Sequence, residues 1–378
     1  MNEPSEYHAD ERLARLRAEW PRYVSWDAVR ADDPEAFRMA ARGVWLLGAA
    51  VLATVLWLFL SSDLADSLPD WIKWVSPLLY IASLWGGIIL WIGGIIMVLM
   101  PSDARRAIAV KQFGDAHGLS FMRFGFAPPR LGILFAEGTA APLPKRLRTF
   151  GGKPAWQQED PAHKSLYRSE FTLWRGDAAF EPELQIAIAS FQGSKSDIAG
   201  PRNVFRYMTM PLARDLPHLM IDSLHNGRMN AVLPGSEKMT FEGDFDRHFA
   251  VYAPAGYQRD ALELLTPDVM VCLLDYGKSW DIEVVEDRLI VASSKPYGWS
   301  DSNEVPALLH FAEVIAGELG HQVKTYTDPR SARPRSQIAK QGRRLSKRTA
   351  GWSTLILFAI VAGLLAFPHV LGWFLDNF

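Results

Sequence analysis

The stretch FEGDFDRHFAVYAP, residues 241–254, places Glu242, Asp244, Asp246 and His248 within seven positions. As a strand, all four would project from one face and form an array suited to a hard metal ion or to acid–base work. As a helix, Asp246 rotates away from the line joining Asp244 and His248. Gly243-Asp244 then reads as a turn followed by an N-cap, Asp246 sits in the first turn where the helix dipole favours a carboxylate, and Phe241, Phe245 and Phe249 become core. The helix reading uses every residue without an added ligand and is the expectation here. Asp244, Asp246 and His248 are the candidate ligands of the competing one, a membrane-tethered metal-dependent enzyme.

Elsewhere the chain is poor in chemistry. Cys272 is the single cysteine, so no intramolecular disulfide forms, and its setting in VMVCLLDY makes it a small core residue. The GKS at 277–279 is not a phosphate loop, because the glycine that motif needs five positions earlier is Cys272. It also ends a helical pattern rather than opening one. No nucleophile elbow, His-Glu-x-x-His, paired-cysteine zinc site or dinucleotide fingerprint occurs. His218 and Asp222 share one face of the strand HLMIDSLH and are expected to hydrogen-bond, with His225 facing the other way. No cofactor is implied.

The elements that must position these residues are mixed. SEFTLWRG, ELQIAIASFQG, NVFRYMTMPL and HLMIDSL are short runs rich in β-branched and aromatic residues, and GILFAEG (132–138) reads as another strand. DIEVVEDRLIVASS reads as a hairpin turning near Glu286-Asp287-Arg288. Thr266 and Pro267 open a helix that Gly277 stops, and Asn303 caps a second whose stripe of Val305, Leu308, Leu309, Ala312, Ile315 and Leu319 ends at Gly320. Strands on short turns with segregated helices predict an α+β domain on an antiparallel sheet. Between residues 101 and 165, prolines and glycines break any long element.

Three charge-free runs, about 44–60, 75–100 and 352–375, are long enough to cross roughly 30 Å of hydrocarbon, and tryptophans flank them. Three transmembrane helices are therefore expected. Arg38 and Arg42 precede the first, Arg105, Arg106 and Lys111 follow the second, and Asp63, Asp66 and Asp70 lie between them. Basic flanks stay in the cytoplasm, which puts the N-terminus and main domain inside and the C-terminus outside. Only His369 is ionisable within a run, so no transport path is indicated. Small residues at packing spacings, Ala49 with Ala53, Gly86 with Gly93, Gly87 with Gly94 and Ala359 with Gly363, indicate intrachain or homo-oligomeric helix packing.

The expected organisation is a cytoplasmic N-terminal arm (1–42), a transmembrane hairpin (43–100), a cytoplasmic α+β domain (101–329), a basic juxtamembrane tether (330–350) and a third transmembrane helix (351–375). The arm holds seven arginines against nine acids, which favours a helix packed on the domain over one lying on lipid. In the tether, Arg335, Lys340, Arg343, Arg344, Lys347 and Arg348 face anionic lipid, worth about 1 kcal/mol per basic side chain near the surface. The tract lacks interleaved aromatics and adjoins a membrane span, which argues against nucleic acid.

Gly243-Asp244-Phe245, Val251-Tyr252-Ala253, Leu265 to Met270 and Glu283 to Ala292 together resemble the conserved core of a bacterial family of membrane-associated proteins whose shared cytoplasmic domain has no assigned activity. The resemblance covers about a quarter of the chain. It implies transmembrane segments paired with a cytoplasmic domain and attaches no catalytic residue; the spans and basic flanks give the expectation of a multi-pass protein of the bacterial inner membrane, with a protein partner or a second copy as candidate partners.

Overall fold

The computed structural model describes residues 3–62, 69, 75–125, 132–135, 167–176, 182–191, 204–226, 233, 235–241, 243–293, 301–334, 337–343 and 345. The third apolar run, the acidic loop with Asp63, Asp66 and Asp70, and Arg335, Arg344, Lys347 and Arg348 lie outside them, as does Glu242. The chain divides into two compact units, one built on residues 20–117 and the other on residues 3–19 and 118 onward.

Helix α1 (Glu3–Ala18) belongs to the second unit. The first unit holds α2 (Trp26–Asp32), α3 (Pro34–Leu60) and α4 (Ser76–Ala116). Asp33 starts α3 by accepting the Ala36 N–H at 3.0 Å, with Pro34 in the first turn. Helices α3 and α4 pack antiparallel, since Gly43 meets Gly94 and Met97 while Ala53 and Thr54 meet Gly87. A Cβ on Gly94 would come within 2.7 Å of Leu47, so glycine is required for this approach. Gly86 and Gly93 face open space instead. The indole N–H of Trp91 donates to the Thr54 hydroxyl at 3.1 Å. Helix α4 does not stop where its apolar run does. It continues through Pro101 to Ala116, and its end packs Ala104 and Ile108 on Val24, Val29 and Ala36. The expectation of a broken segment from residue 101 is corrected to that extent: packing holds the helix past the proline.

The second unit is a seven-stranded antiparallel sheet with helices, the α+β class expected. Its strands are β1 (Ser120–Gly125), β2 (Tyr167–Arg175), β3 (Leu184–Phe191), β4 (Val204–Ser223), β5 (Ser236–Lys238), β6 (Phe249–Pro254) and β7 (Trp280–Ser293). The order is β1-β2-β3-β4-β6-β5, and β7 runs along the other edge of β4. The two runs NVFRYMTMPL and HLMIDSL are one 20-residue strand. It pairs with β3 through Gln185–Ser190 and with β6 beyond Met220. Its register shifts twice against β7, between Pro211 and Leu219, where Pro211 and Pro217 bring no N–H to the ladder.

The expected hairpin in DIEVVEDRLIVASS does not form. Strand β7 is continuous, and Glu286 sits in the left-handed region at φ +54° opposite the β4 irregularity. This bulge changes the phase of alternation. Ile282, Val284 and Leu289 face the helices, whereas Val285, Ile290 and Ala292 face the aromatic cluster of Phe135, Tyr167, Phe205 and Tyr207 on the opposite side. The described part of GILFAEG, residues 132–135, is likewise no strand; Ile133 and Leu134 form a turn beside the aromatic side. The remaining helices are α5 (Phe245–His248), α6 (Gln258–Leu264), α7 (Pro267–Cys272), α8 (Asp301–Thr325) and α9 (Lys340–Arg343), with a wider helical turn, Leu273–Gly277, extending α7. Helix α8 starts two residues before Asn303 and runs through Gly320, because Arg206 pairs with Asp301 and Glu304 in its first turn and Val323 is buried near its end. Helix α1 packs on α8, and the Arg12 guanidinium pairs with Glu313 at 3.2 Å.

Candidate functional site

The acidic stretch follows the helix reading for one turn only, with Asp244 at the N-cap position, Asp246 in the first turn and Phe245 in the core. Residues 245–248 make one helical turn and Phe249–Pro254 then form β6. The switch follows from Gly243 at φ +77°, which turns the chain, and from the three phenylalanines, which pack edge-on and then tilted at 5.3 and 5.0 Å between centroids. The carboxylates are spent separately. Asp246 accepts the Phe241 N–H at 3.0 Å. Asp244 makes no cap hydrogen bond and instead holds Arg247 at 2.6 Å, with His248 4.0 Å away. His248 lies against His225, Nδ1 to Nε2 3.3 Å. Burial, then Lys278 and His225, push the His248 imidazole below its usual range, outweighing Asp244. Among the described residues, no three His, Cys, Asp or Glu side chains are placed to hold a metal ion.

Sequence reasoning missed the groups that matter most inside the domain. Glu283 is fully buried and accepts from the N–H groups of Ile133 (2.6 Å) and Leu134 (3.1 Å) and from His218 Nε2 (2.5 Å). His218 Nδ1 in turn accepts the Leu345 N–H at 2.9 Å, which leaves the ring proton on Nε2. His218 therefore spends both nitrogens on Glu283 and Leu345 rather than on Asp222. His225 lies in the turn after β4 and stacks on His248. The available signal was a glutamate inside an apolar, β-branched run; what covers its face comes from positions 133 and 345, which no local pattern links.

A second buried node lies at Asp328, which accepts from the Tyr257 hydroxyl (2.8 Å) and from the N–H groups of Ala339 (2.8 Å) and Arg330 (2.9 Å). Burial pushes this carboxyl up, but those donors together outweigh it and hold it below the usual carboxylate range. Arg330 bridges Asp328 and Asp260 and lies over the Tyr257 ring at 4.4 Å. Gly342 fits because a Cβ there would meet the same ring at 2.5 Å. The two nodes fasten residues 326–334 and 337–343, with Leu345, to the domain as a strap. The first part of the basic tract is thus a docked segment: Arg330 is ion-paired, Arg343 donates to the Ile338 carbonyl at 3.0 Å, and Lys340 is exposed.

Where the strap crosses the β4–β7 bulge it leaves a cavity of about 250 Å³, lined by Asp215, Leu216, Glu286, Gln337, Ile338 and Arg343. Cys272 is buried, and burial pushes its thiol up to about 12, the opposite of an activated nucleophile. Among the described residues the arrangement supplies a cleft and a docked segment, residues 326–334 and 337–343 with Leu345.

No protein-family model matches the chain, and no curated protein matches it. The structure is similar to the crystal structure of the mycobacterial trehalose monomycolate transport factor A, with a TM-score of 0.32 and 8% identity over 56% of this chain and 95% of that one. A likeness of that degree carries no inference about this chain.

Proposed function

We propose that this is an integral membrane protein whose α+β domain binds a ligand or protein partner at the cytoplasmic face of the inner membrane. The observation that carries the reading is the surface of α3 and α4. Both are long and apolar enough to cross a membrane, and only 11% and 17% of their most apolar windows are buried, whereas a helix in a soluble core is mostly buried. Trp45, Leu52 and Ile89 are 82%, 72% and 68% exposed, while the polar Ser83 and Thr54 turn inward or bond along the helix. Water penalises such a surface by about 25 cal/mol per Å², and lipid does not.

The finer parts of the proposal rest on sequence. The run 352–375 is a third span, and the basic flanks hold the domain inside with the C-terminus out. The tract through Arg335, Lys340, Arg343, Arg344, Lys347 and Arg348 approaches anionic headgroups from that side. The chain belongs, in this reading, with the membrane-associated family that its 243–292 segment resembles. The test is protease protection of the full chain in right-side-out and inside-out membrane vesicles. Cleavage of the α+β domain should require inside-out vesicles, and its cleavage in right-side-out vesicles would reverse the orientation. Release of the intact chain by carbonate would remove the membrane reading altogether.

A further inference from the structure

We infer that Arg105 and Arg30, held on the aromatic rings of Tyr23, Trp26 and Phe37, bind the phosphate of an anionic phospholipid at the end of the α3–α4 pair that the proposed topology puts in the cytoplasm. The inference rests on the proposed membrane setting of those helices and concerns the first unit alone.

The site is built around α2. Val24, just before that helix, and Val29 within it are buried with Ala36, Ala104 and Ile108, which fixes α2 on both α3 and α4. The Ser25 hydroxyl accepts the Ala28 N–H at 3.2 Å and starts the helix. This small core leaves larger rings outside it: Tyr23 is 67% and Trp26 40% exposed. The Arg105 guanidinium, from α4, lies 4.8 Å from the centroid of each. Trp26 meets Phe37 of α3 edge-on at 6.2 Å, and Arg30 lies over the Phe37 ring at 4.9 Å.

A guanidinium stacked on a ring has used its face, and its five N–H donors remain in the plane. Arg12, Arg206, Arg247 and Arg330 spend theirs on carboxylates. Among the described residues, no hydrogen bond or ion pair takes up the donors of Arg105 or Arg30. Rings that hold a guanidinium in place lower the entropy cost of binding, and the planar fork matches two oxygens of one phosphate.

The place along the helices selects the anion. The charge-free run of α4 ends at Met100, so at 1.5 Å per residue Arg105 lies about 7 Å beyond it. Headgroups occupy about 5–8 Å outside the hydrocarbon on each side, which puts Arg105 at their level. Exposed Leu99 and Val44 follow about two turns further along α4 and α3, so the site adjoins the proposed lipid-facing surface. Bulk charge is not the attraction, because Asp27, Asp32, Asp33 and Glu35 offset Arg22, Arg30, Arg38 and Arg42 over residues 20–42. Recognition is local, by two oriented guanidiniums without a counter-ion.

The test uses the full chain in maltoside detergent, with phosphatidylglycerol as the probe and native mass spectrometry to count bound lipid. Wild type should retain phosphatidylglycerol in preference to phosphatidylcholine, and Arg105→Gln should weaken that retention by about fivefold or more. Arg105→Lys keeps the charge but loses the planar fork and should weaken it to nearly the same extent. Lys324→Gln, which removes an exposed charge on α8, should leave it unchanged. The C-terminal basic tract is present in every variant, so its contribution cancels in the comparison. If Arg105→Gln does not fold, Arg105→Lys and Arg30→Gln carry the same question. Retention by the Arg105 and Arg30 variants equal to that of Lys324→Gln would overturn the site. Equal retention of phosphatidylcholine, or displacement of the lipid by inorganic phosphate, would overturn the anionic lipid as its occupant. Each of these results leaves the membrane reading standing, because resistance to carbonate and vesicle topology are measured separately on the wild-type chain.

Discussion

The two units solve opposite versions of one packing problem. In α3 and α4 the large apolar side chains point outward, and the contact surface is made of Gly43, Gly87, Gly94 and Ala53. In the sheet unit the large apolar side chains point inward, and the interior also takes Glu283, Asp281, Asp328 and His218. Backbone approach holds the first together and hydrogen-bonded burial the second. The difference is the one the proposed membrane setting of α3 and α4 requires: a hydrocarbon environment gives no reward for hiding leucine, so small residues and van der Waals contact decide the fit. In water, burial of apolar area drives folding, and a buried carboxylate survives only when its donors are all in place.

That contrast can be broken at its strongest points first. Glu283→Ala leaves His218 and two backbone N–H groups without their acceptor, and should cost the sheet unit about 3–5 kcal/mol in chemical denaturation while leaving the helix pair intact. A glycine substitution tests the other unit. Gly94→Val should destabilise the α3–α4 contact by about 1–3 kcal/mol, read as faster helix separation by energy transfer in detergent, whereas Gly93→Val, which meets nothing, should be silent. Equal effects at 93 and 94 would mean that the packing register is wrong.

Smaller effects sharpen the account of the strap. Asp328→Asn should loosen the strap at a cost of about 1–3 kcal/mol, seen as new proteolytic cleavage there. The wild-type carboxyl is depressed on folding, so its contribution is complete above the unfolded value of 3.8 and disappears as pH falls through the lower folded value. Cleavage of the strap should therefore rise only in strong acid, and Asp328→Asn should flatten that dependence. His248 is the mildest case. Its imidazole is also depressed on folding, so the folded state binds the proton less well, and stability should decline slightly as pH drops below about 6.5. Asp244→Asn, on an exposed ion pair, should change stability by less than about 0.5 kcal/mol.

The legible parts of this fold were those fixed locally. Strands β2, β3, β4 and β7 follow from β-branched and aromatic runs, the α8 stripe from periodicity and the two apolar helices from uninterrupted apolar length, whereas β1 and β5 were not among the runs singled out and β6 lies in the stretch read as a helix. The bulge at Glu286 was visible too, as a change of phase between Val284 and Leu289, but a phase change reads equally well as a hairpin turn. Only the pairing of β7 with the whole of β4 decides it. The acidic stretch misled because four-residue phenylalanine spacing fits both a helix and a strand, and the chain uses one after the other. Glu283 and Asp328 were invisible as a class, since their partners lie up to 150 positions away.

The central claim is that α3 and α4 present their outer surface to lipid. Cys272 is buried with a thiol pushed up to about 12, so it should stay unlabelled while a cysteine introduced elsewhere reacts. The most direct measurement places a nitroxide in turn at Trp45, Leu52 and Ile89 of the reconstituted chain and compares its collisions with oxygen, which concentrates in hydrocarbon, and with a water-soluble nickel complex. The account predicts high oxygen and low nickel accessibility at positions 52 and 89, with position 45 closer to the interface. High nickel accessibility at 52 and 89 would contradict it.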